Sequence, residues 1–253
     1  MKKTLTTLAT LALFSTAANA DFLRVEAGAG LWSQTNVGYI SYEDDDTTAE
    51  DRSAEVEKTN AYLWAYVKHP VPFVPNFRLE YSKIESDGYL NGTWKGMRYG
   101  GEDLPTTTEM TQIEVIPYYN ILDDTFLVTV DLGLDIKFID YTATGEGDAR
   151  LVSIALYDES GSFVAPLPYL RARAELPFMN FGLEAVIKYG ALDGNTFSDM
   201  NIKLDYTFDI MPVLQPGIEV GYREIVMDAE SSDGKTVIDL DFSGLYFGLM
   251  ARF

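Results

Sequence analysis

The residue types best suited to catalysis or metal binding are scarce in this chain. Its 253 residues include one histidine and no cysteine, so the sequence excludes disulfides and thiolate metal sites. His69 lies in the segment His69-Pro70-Val71-Pro72, a turn that offers no serine or acidic partner for nucleophilic or general-base catalysis. We interpret His69 as a solvated turn residue, and we assign no catalytic, cofactor-binding or metal-binding residue.

Carboxylates are abundant, and they are densest in one segment. The run from Glu43 to Asp46 is followed by further acidic residues, with Arg52 as the one counter-charge. These further acids are Glu50, Asp51, Glu55 and Glu57. Oxygen ligands of this kind suit Ca²⁺ or Mg²⁺, but the spacing matches no EF-hand loop. The segment is therefore interpreted as a solvated acidic loop, with divalent-cation binding as the alternative.

The net charge narrows the classes of partner. The formal charge is −20. Without Lys2 and Lys3 it becomes −22, from 17 Lys and Arg against 39 Asp and Glu. So acidic a chain is not expected to bind nucleic acid.

One segment shows most clearly which kind of secondary structure positions the polar residues. From Ser198 to Asp209, apolar and polar residues alternate strictly. The apolar set is Met200, Ile202, Leu204, Tyr206 and Phe208. A period of two excludes an amphipathic helix and predicts a β-strand with one apolar face. Such a strand suits either a half-buried soluble sheet or a barrel with lipid outside and a polar lumen inside.

The same alternation recurs in nine further segments, which makes ten predicted strands. The nine are residues 23–31, 61–68, 77–82, 111–119, 126–138, 170–176, 181–190, 218–223 and 245–253.

The polar faces of these strands carry most of their charges. A Lys or Arg that faces lipid costs roughly 2–4 kcal/mol, so we expect the charged faces to point inward and to pair there. The predicted lumen charge network consists of Arg24, Glu26, Arg78, Glu80, Glu114, Asp131, Asp135, Arg171, Arg173, Glu184, Lys188 and Lys203.

The connections between the predicted strands alternate in length. Residues 69–76, 120–124, 177–180 and 210–215 form short connections, whereas 32–57, 86–108, 141–167 and 228–237 are long, with 193–196 as a short exception. Short turns on one side and long loops on the other are typical of a transmembrane antiparallel up-and-down β-barrel, with the short turns in the periplasm. Ten strands place both termini on that same side.

The N-terminal segment has the pattern of a secretory signal. Lys2 and Lys3 precede a short apolar run, and Ala18-Asn19-Ala20 is a small-x-small cleavage site. We expect residues 1–20 to be removed after Ala20, leaving one barrel domain over residues 21–253 that begins at Asp21. No later apolar run reaches the 18 residues of a transmembrane helix.

The C-terminal strand carries a resemblance to a known class. The residues at alternate positions on its predicted outward face form the predicted assembly signal. They are Leu245, Phe247, Leu249, Ala251 and Phe253. This pattern resembles the last strand of bacterial outer-membrane barrels, whose final Phe is read by the barrel-assembly machinery. Together with the signal and the repeated strands, the chain resembles the small single-domain outer-membrane β-barrel proteins of Gram-negative bacteria over essentially its full length.

The resemblance implies insertion into the outer membrane and transfers no substrate. Its implied partners are outer-membrane lipids and lipopolysaccharide, with divalent cations as bridges, and the assembly machinery. The leading hypothesis is a barrel without catalytic activity, with a structural or surface-interaction role or a very narrow channel. The alternatives are a passive channel for small cationic solutes, a lipid-directed enzyme and a soluble periplasmic β-protein. The oligomeric state stays open.

Overall fold

Every regular element in the described part of the chain is a β-strand. The computed structural model describes residues 23–125, 127–145, 157–176, 179–192, 194–211, 213–231 and 233–253. The strands are β1 (Arg24–Asp44), β2 (Thr47–Ser53), β3 (Glu57–Lys68), β4 (Asn76–Trp94), β5 (Met97–Thr125), β6 (Val128–Gly145), β7 (Tyr157–Leu176), β8 (Phe181–Leu192), β9 (Asn195–Thr207), β10 (Gln215–Glu230) and β11 (Thr236–Arg252). Among these residues, no helix has the length and apolar character needed to span a membrane.

The strands close into one antiparallel barrel. Consecutive strands pair with each other, except that β2 and β3 each pair with β1 and β4 instead. The barrel closes where β1 pairs with β11, from Glu26 opposite Arg252 to Tyr42 opposite Thr236. The short strand β2 and the strand β3 share one place in the wall. β3 pairs with the lower part of β1, from Arg24 to Thr35, and β2 pairs with its upper part, from Tyr39 to Asp44. The wall therefore has ten strand positions, which confirms the predicted ten-stranded barrel.

The long connections on one side are largely continued strands. β1 extends to Asp44 and β4 to Trp94, well beyond the segments that the alternation marks. The β4–β5 hairpin closes in a tight turn at Lys95 and Gly96, which both have positive φ (46° and 79°), as a two-residue hairpin turn requires. The predicted signal peptide, the start at Asp21, and residues 146–156 of one long connection lie outside the described residues.

The outside of the barrel carries a belt of apolar side chains. Leu63, Ile202 and Leu249 are 51%, 60% and 65% exposed, although all three lie in the middle of long strands. Further members of the belt are Leu31, Leu79, Ile113, Leu132, Leu170, Leu183, Ile187, Leu204, Val220, Leu245 and Phe247. An apolar exterior around a charged interior is the arrangement of a transmembrane barrel, since lipid is the solvent that favours it.

The barrel continues above this belt on the side of the long connections. Outward-facing charges reappear at Glu85, Glu109 and Asp140, which lie close together through the pairing of β4, β5 and β6. We take these residues as the upper edge of the membrane-spanning part. The wall above them, which includes β2 and the upper ends of β1, β4 and β5, is called the extracellular extension below.

One aromatic residue lies on the opposite face from the one we expected. We expected Trp32 to lie with other aromatics in an outward girdle at the membrane interface, but it is 2% exposed and points into the barrel. Its indole Nε1 donates to the Gly244 carbonyl at 3.2 Å, and the Arg223 guanidinium lies 5.4 Å from its ring centre. The parity of β1 places even-numbered residues inside, so this expectation was wrong.

The wall is interrupted at one place. β2 ends at Ser53 and β3 begins at Glu57. On β4, pairing with β3 ends at Ser82 and pairing with β2 starts at Gly88, so residues 83–87 pair only with β5. This interruption, called the wall gap below, lies in the lower part of the extracellular extension.

Candidate functional site

All the residues of the predicted lumen charge network point into the barrel. The period of two in each strand fixes this direction, because the opposite parity carries the apolar belt. Arg24 is the most exposed of them, with 22% of its side chain accessible, because it lies at the periplasmic rim. Asp131, Asp135 and Glu114 are fully buried. The structure therefore brings these groups together in one interior, in three connected clusters.

The first cluster is centred on Glu184 of β8. Its carboxylate lies 3.0 Å from Nη1 of Arg78 and 2.7 Å from Nη2 of Arg171. Arg173 and Lys203 contact the same carboxylate at 3.4 Å each. Four cations around one carboxylate need further anions to balance them, and these are supplied by four other strands. They are Glu80, Asp131, Asp205 and Glu219.

The second cluster lies around Glu114 and Asp199. Lys137 Nζ is 2.8 Å from Glu114 and 2.7 Å from Asp199. Arg223 bridges the same two carboxylates at 3.1 and 2.6 Å. Lys188 contacts both carboxylates and also reaches Glu80 at 2.8 Å. Because Glu80 also pairs with Arg78, it links this cluster to the first.

The third cluster closes the periplasmic rim. Glu26 accepts from Arg24 at 2.6 Å and from Arg252 at 2.8 Å. Glu175 contacts the same two arginines and also Arg173 at 3.0 Å. This cluster joins the first strand to the last, since Arg24 lies in β1 and Arg252 in β11.

Asp135 is the least satisfied member of the network. It is fully buried, and the Nζ atoms of Lys188 and Lys137 lie 3.9 and 4.0 Å from it. Neither of its oxygens has a hydrogen-bond partner among the described residues. Asp135 therefore lies beside the second cluster without a direct hydrogen bond to it.

Sequence reasoning left out several members of the network. These are Lys137, Glu175, Asp199, Asp205, Glu219, Arg223 and Arg252. Each lies on the inward parity of its strand, so the alternation that selected the other members carried the signal for these as well. Arg252 shares the inward parity of Tyr246 and Met250 in the C-terminal strand.

Aromatic side chains fill the space between the charges. Glu219 accepts from the Tyr62 hydroxyl at 2.7 Å and from the Trp64 indole at 2.9 Å. Tyr66 and Tyr118 stack with ring centres 5.0 Å apart. A cavity of about 30 Å³ remains beside Trp64, which is room for roughly one or two water molecules.

Above the charges, the interior becomes apolar. On β4 the inward residues change from Arg78 and Glu80 to Ile84, and on β10 they change from Arg223 to Ile225 and Met227. We call this layer the apolar plug. Its other main members are Ile40, Met110, Ile139, Leu167, Phe197, Leu240 and Phe242. A smaller apolar cluster lies higher still, within the extracellular extension, and consists of Ala49, Leu90, Trp94, Leu104 and Ala143.

His69 has a structural position in its periplasmic turn. Its Nδ1 accepts from the Val71 N–H at 3.2 Å, which leaves Nε2 to donate to the Pro75 carbonyl at 2.9 Å. Its backbone N–H donates to Asn76 at 2.9 Å. Both ring nitrogens thus contact the backbone of the turn itself, in agreement with a turn residue.

The residues of the predicted assembly signal lie on the outer face of β11 and at its end. Leu245, Phe247 and Leu249 are 64%, 58% and 65% exposed, and Phe253 is 50% exposed beyond the strand end. Phe253 is also held to β1, since its N–H donates to the Val25 carbonyl at 2.9 Å. The geometry therefore leaves the terminal aromatic ring accessible at the periplasmic rim.

The acidic first connection is not one open loop. Most of it forms the hairpin of β1 and β2, and Glu43, Asp44, Asp45 and Asp46 are exposed at its tip. Asp51 instead turns inward and is 7% exposed. Among the described residues, no group of three or more His, Asp or Glu side chains has the arrangement of a metal centre.

Comparison with known proteins finds solved structures of similar fold at low sequence identity. No family model matches the chain, and no curated protein matches it. Among solved structures, the outer membrane protease OmpT of Escherichia coli is 9% identical with a TM-score of 0.47, over 93% of this chain and 97% of that one. The translocator domain of the autotransporter NalP of Neisseria meningitidis is 13% identical with a TM-score of 0.47, over 100% and 98%.

A third structure of the same class is Ail, the attachment invasion locus protein of Yersinia pestis, solved with a heparin analogue. It is 11% identical with a TM-score of 0.36, over 92% of this chain and all of that one. At these values the likenesses carry no information on function. The resemblance to small outer-membrane barrels is confirmed at the level of fold, which rests on the strand pairing, closure and apolar belt of the structure itself.

Proposed function

We propose that this protein is an integral outer-membrane barrel without catalytic activity or an open channel, and that its role is structural or a surface interaction through the extracellular extension. The observation that carries the proposal is the filled interior. Three charge clusters and the apolar plug follow one another along the barrel axis and leave small cavities between side chains.

The charged part of the lumen opposes conduction. Its cations and carboxylates neutralise one another at contact distance, as at Arg171 with Asp131 at 2.6 Å. A permeating ion would have to displace these pairs in an interior of low dielectric constant, where breaking a buried pair by removing one partner costs about 3–5 kcal/mol. Barrels of about eight strands are filled by side chains, whereas aqueous porins have 16–18 strands.

The apolar plug supports the same conclusion. Ile225, Phe242 and Ile139 are at most 1% exposed and lie on three different strands. A hydrated ion that passes this layer would lose its water without gaining ligands. The extracellular half of the lumen is therefore expected to be closed to small cations as well as to larger solutes.

An enzymatic role has little support from the site. The single histidine contacts its own periplasmic turn, and the interior carboxylates are engaged with Arg and Lys side chains. Among the described residues, the network presents no nucleophile beside a base that faces lipid or solvent. The proposed role lies outside the barrel, and the exposed carboxylates at residues 43–46, which favour contact with cationic groups, support this proposal.

Planar-bilayer recording of the purified, folded protein tests the closed lumen. We expect no steady openings across either polarity, while a large porin inserted in the same membrane serves as the positive control. Steady openings with a cation-selective reversal potential would replace the proposal by the passive-channel alternative. Altered lipid A or phospholipid in cells that express the protein would instead support the enzymatic alternative.

Membrane location is tested separately. After expression in a Gram-negative host, we expect the protein in the outer-membrane fraction, with a gel mobility that changes on heating because a folded barrel resists detergent. Recovery in the soluble periplasmic fraction would contradict every barrel function. This experiment also reports whether the predicted cleavage between Ala20 and Asp21 occurs, by N-terminal sequencing.

A further inference from the structure

The wall gap is filled by side chains instead of a strand. The Gln34 amide on β1 donates across the gap to the Glu85 carbonyl on β4 at 2.9 Å. The Asn36 amide donates to the Ser86 hydroxyl at 2.8 Å. These bonds replace part of the missing ladder, and they draw polar side chains of β1 into a place that a regular barrel fills with backbone.

A small cavity lies at the upper end of this gap. Its volume is about 10 Å³, which suits one water molecule or one monatomic ion. Most of its lining side chains carry oxygen, and no Lys or Arg is among them. The oxygen-bearing ones are Asn36, Asp51, Ser53, Ser86, Asp87, Thr106 and Thr108. The Asp87 carboxylate is already paired with Lys58 at 2.6 Å.

Two buried acceptors in this lining lack a full set of partners. Asn36 is 5% exposed, and its Oδ1 atom has no hydrogen-bond partner among the described residues. Asp51 accepts a hydrogen bond from Thr106 at 2.6 Å. Burial raises the pKa of Asp51 to about 6, an effect that the Thr106 hydrogen bond reduces only in part. A buried carboxylate that has one hydrogen bond and no ion pair among the described residues is costly unless a cation neutralises it.

A glycine keeps the cavity open. A Cβ atom on Gly88 would lie 2.7 Å from Asp51 Oδ1 and 2.8 Å from Thr106 Oγ1. The Arg52 backbone carbonyl would also lie 2.8 Å away. These distances are too short for a real side chain, so any residue other than glycine would force the wall or the Asp51 carboxylate to shift. The position of this carboxylate therefore depends on the absence of a side chain on β4.

We propose that this cavity binds one oxygen-seeking divalent cation, with Ca²⁺ as its probe, through the Asp51 carboxylate and the Asn36 amide oxygen. Hydroxyl groups of the lining and water complete the shell, since Ca²⁺ takes six to eight oxygen ligands. One carboxylate gives a weak site, in the range of about 0.1–1 mM that is typical of extracellular modules. The exposed acids at residues 43–46 concentrate cations at the same end of the barrel.

Ligand-linked stability tests the proposal on the folded protein in detergent. The melting temperature is read from the heat-dependent gel mobility in 10 mM CaCl₂ and in 1 mM EDTA, both with 150 mM NaCl to screen diffuse binding to surface acids. We expect Ca²⁺ to raise the melting temperature of the wild type by a few degrees. The shift should be lost in Asp51→Asn and in Gly88→Ala, and retained in Glu50→Gln.

Glu50→Gln is the matched control, because it removes the same charge from the neighbouring residue on the same strand, where the side chain points outward. Equal Ca²⁺ shifts in Asp51→Asn and Glu50→Gln would overturn the proposal, as would the absence of a shift in the wild type. A crystal soaked in Tb³⁺ gives a second measurement that needs no variant. Its anomalous peak is expected between Asp51 and Asn36, and peaks confined to the exposed acids would contradict the site.

Discussion

At the scale of single residues, Glu184 has the largest share of the interior charge balance. Four cations contact its carboxylate, so its replacement leaves several buried charges without their partner. Glu184→Gln is expected to lower the free energy of unfolding by about 3–5 kcal/mol. Urea unfolding of the barrel in detergent measures the change.

The control for this substitution is Glu224→Gln. Glu224 lies on the outward parity of β10 and is partly exposed, so the same chemical change should have an effect within about 0.5 kcal/mol. Equal losses in the two variants would show that the Glu184 cluster has no special weight in stability.

The raised pKa of Asp51 predicts how the stability of the barrel depends on pH. Its pKa is 3.8 as an ordinary carboxyl group and about 6 in the folded protein. Between these values the unfolded chain loses its proton before the folded one, so stability falls as pH rises from about 4 to 6 and then stays level. Without divalent cation, the loss at pH 8 amounts to about 3 kcal/mol. Asp87, the other ionisable residue that lines the cavity, is paired with Lys58 at 2.6 Å.

Asp51→Asn should therefore be more stable than the wild type at pH 8 in EDTA, and equally stable at pH 4. Unfolding midpoints at the two values of pH measure this difference, with Glu50→Gln alongside to correct for the general effect of removing one acid. A variant that is less stable at pH 8 would show that the Asp51 charge is satisfied by the protein itself.

At the scale of elements, the C-terminal strand connects structure with assembly. Deletion of Phe253 is expected to reduce the amount of folded barrel in the outer membrane several-fold, because it removes the accessible terminal ring. Arg252→Lys keeps a cation beside Glu26 and Glu175 and should change the amount little. Immunoblots of membrane fractions measure the amount of both variants. Normal levels after the deletion would show that the C-terminal strand is an ordinary amphipathic strand without a special role in assembly.

Strand existence was predictable from sequence, but strand ends were not. Within the membrane, lipid makes the outward face uniformly apolar, and the alternation at Leu183 or Ile202 is therefore sharp. In the extracellular extension, water replaces lipid, and outward residues such as Glu85 are polar like some of the inward ones. The contrast between faces then fades, so the acidic segment that forms β2 was interpreted as a loop.

The candidate site was predictable in the same uneven way. The alternation of side chains along each strand indicated which charged residues point inward, because a side chain on a strand faces either the lumen or the outside. It did not indicate which of them meet, since Glu184 and Arg78 are far apart in sequence and their contact depends on the tilt and stagger of the closed wall. The wall gap had no signal in the sequence at all, because it arises from the relative heights of β2, β3 and β4.

At the scale of the whole molecule, most of the ionic interactions are shielded from solvent. Buried pairs are screened by salt much less than exposed ones. We therefore expect the melting temperature of the barrel to change little between 50 mM and 1 M NaCl, in spite of its net charge of −20. A fall of ten degrees or more in high salt would mean that surface pairs such as Asp44 with Lys235, 2.7 Å apart, carry much of the stability.

The wall gap also makes one seam of the barrel discontinuous, since β4 pairs with β3 and then, after the gap, with β2. The first strand pairs continuously with the last strand from Glu26 to Tyr42 of β1. In contrast, β3 pairs with β4 only from Tyr62 to Val67 of β3. Under tension the wall should thus tear between β3 and β4 before it tears where the two chain ends meet. A tear that starts at the gap would open the wall away from the place where the two chain ends meet.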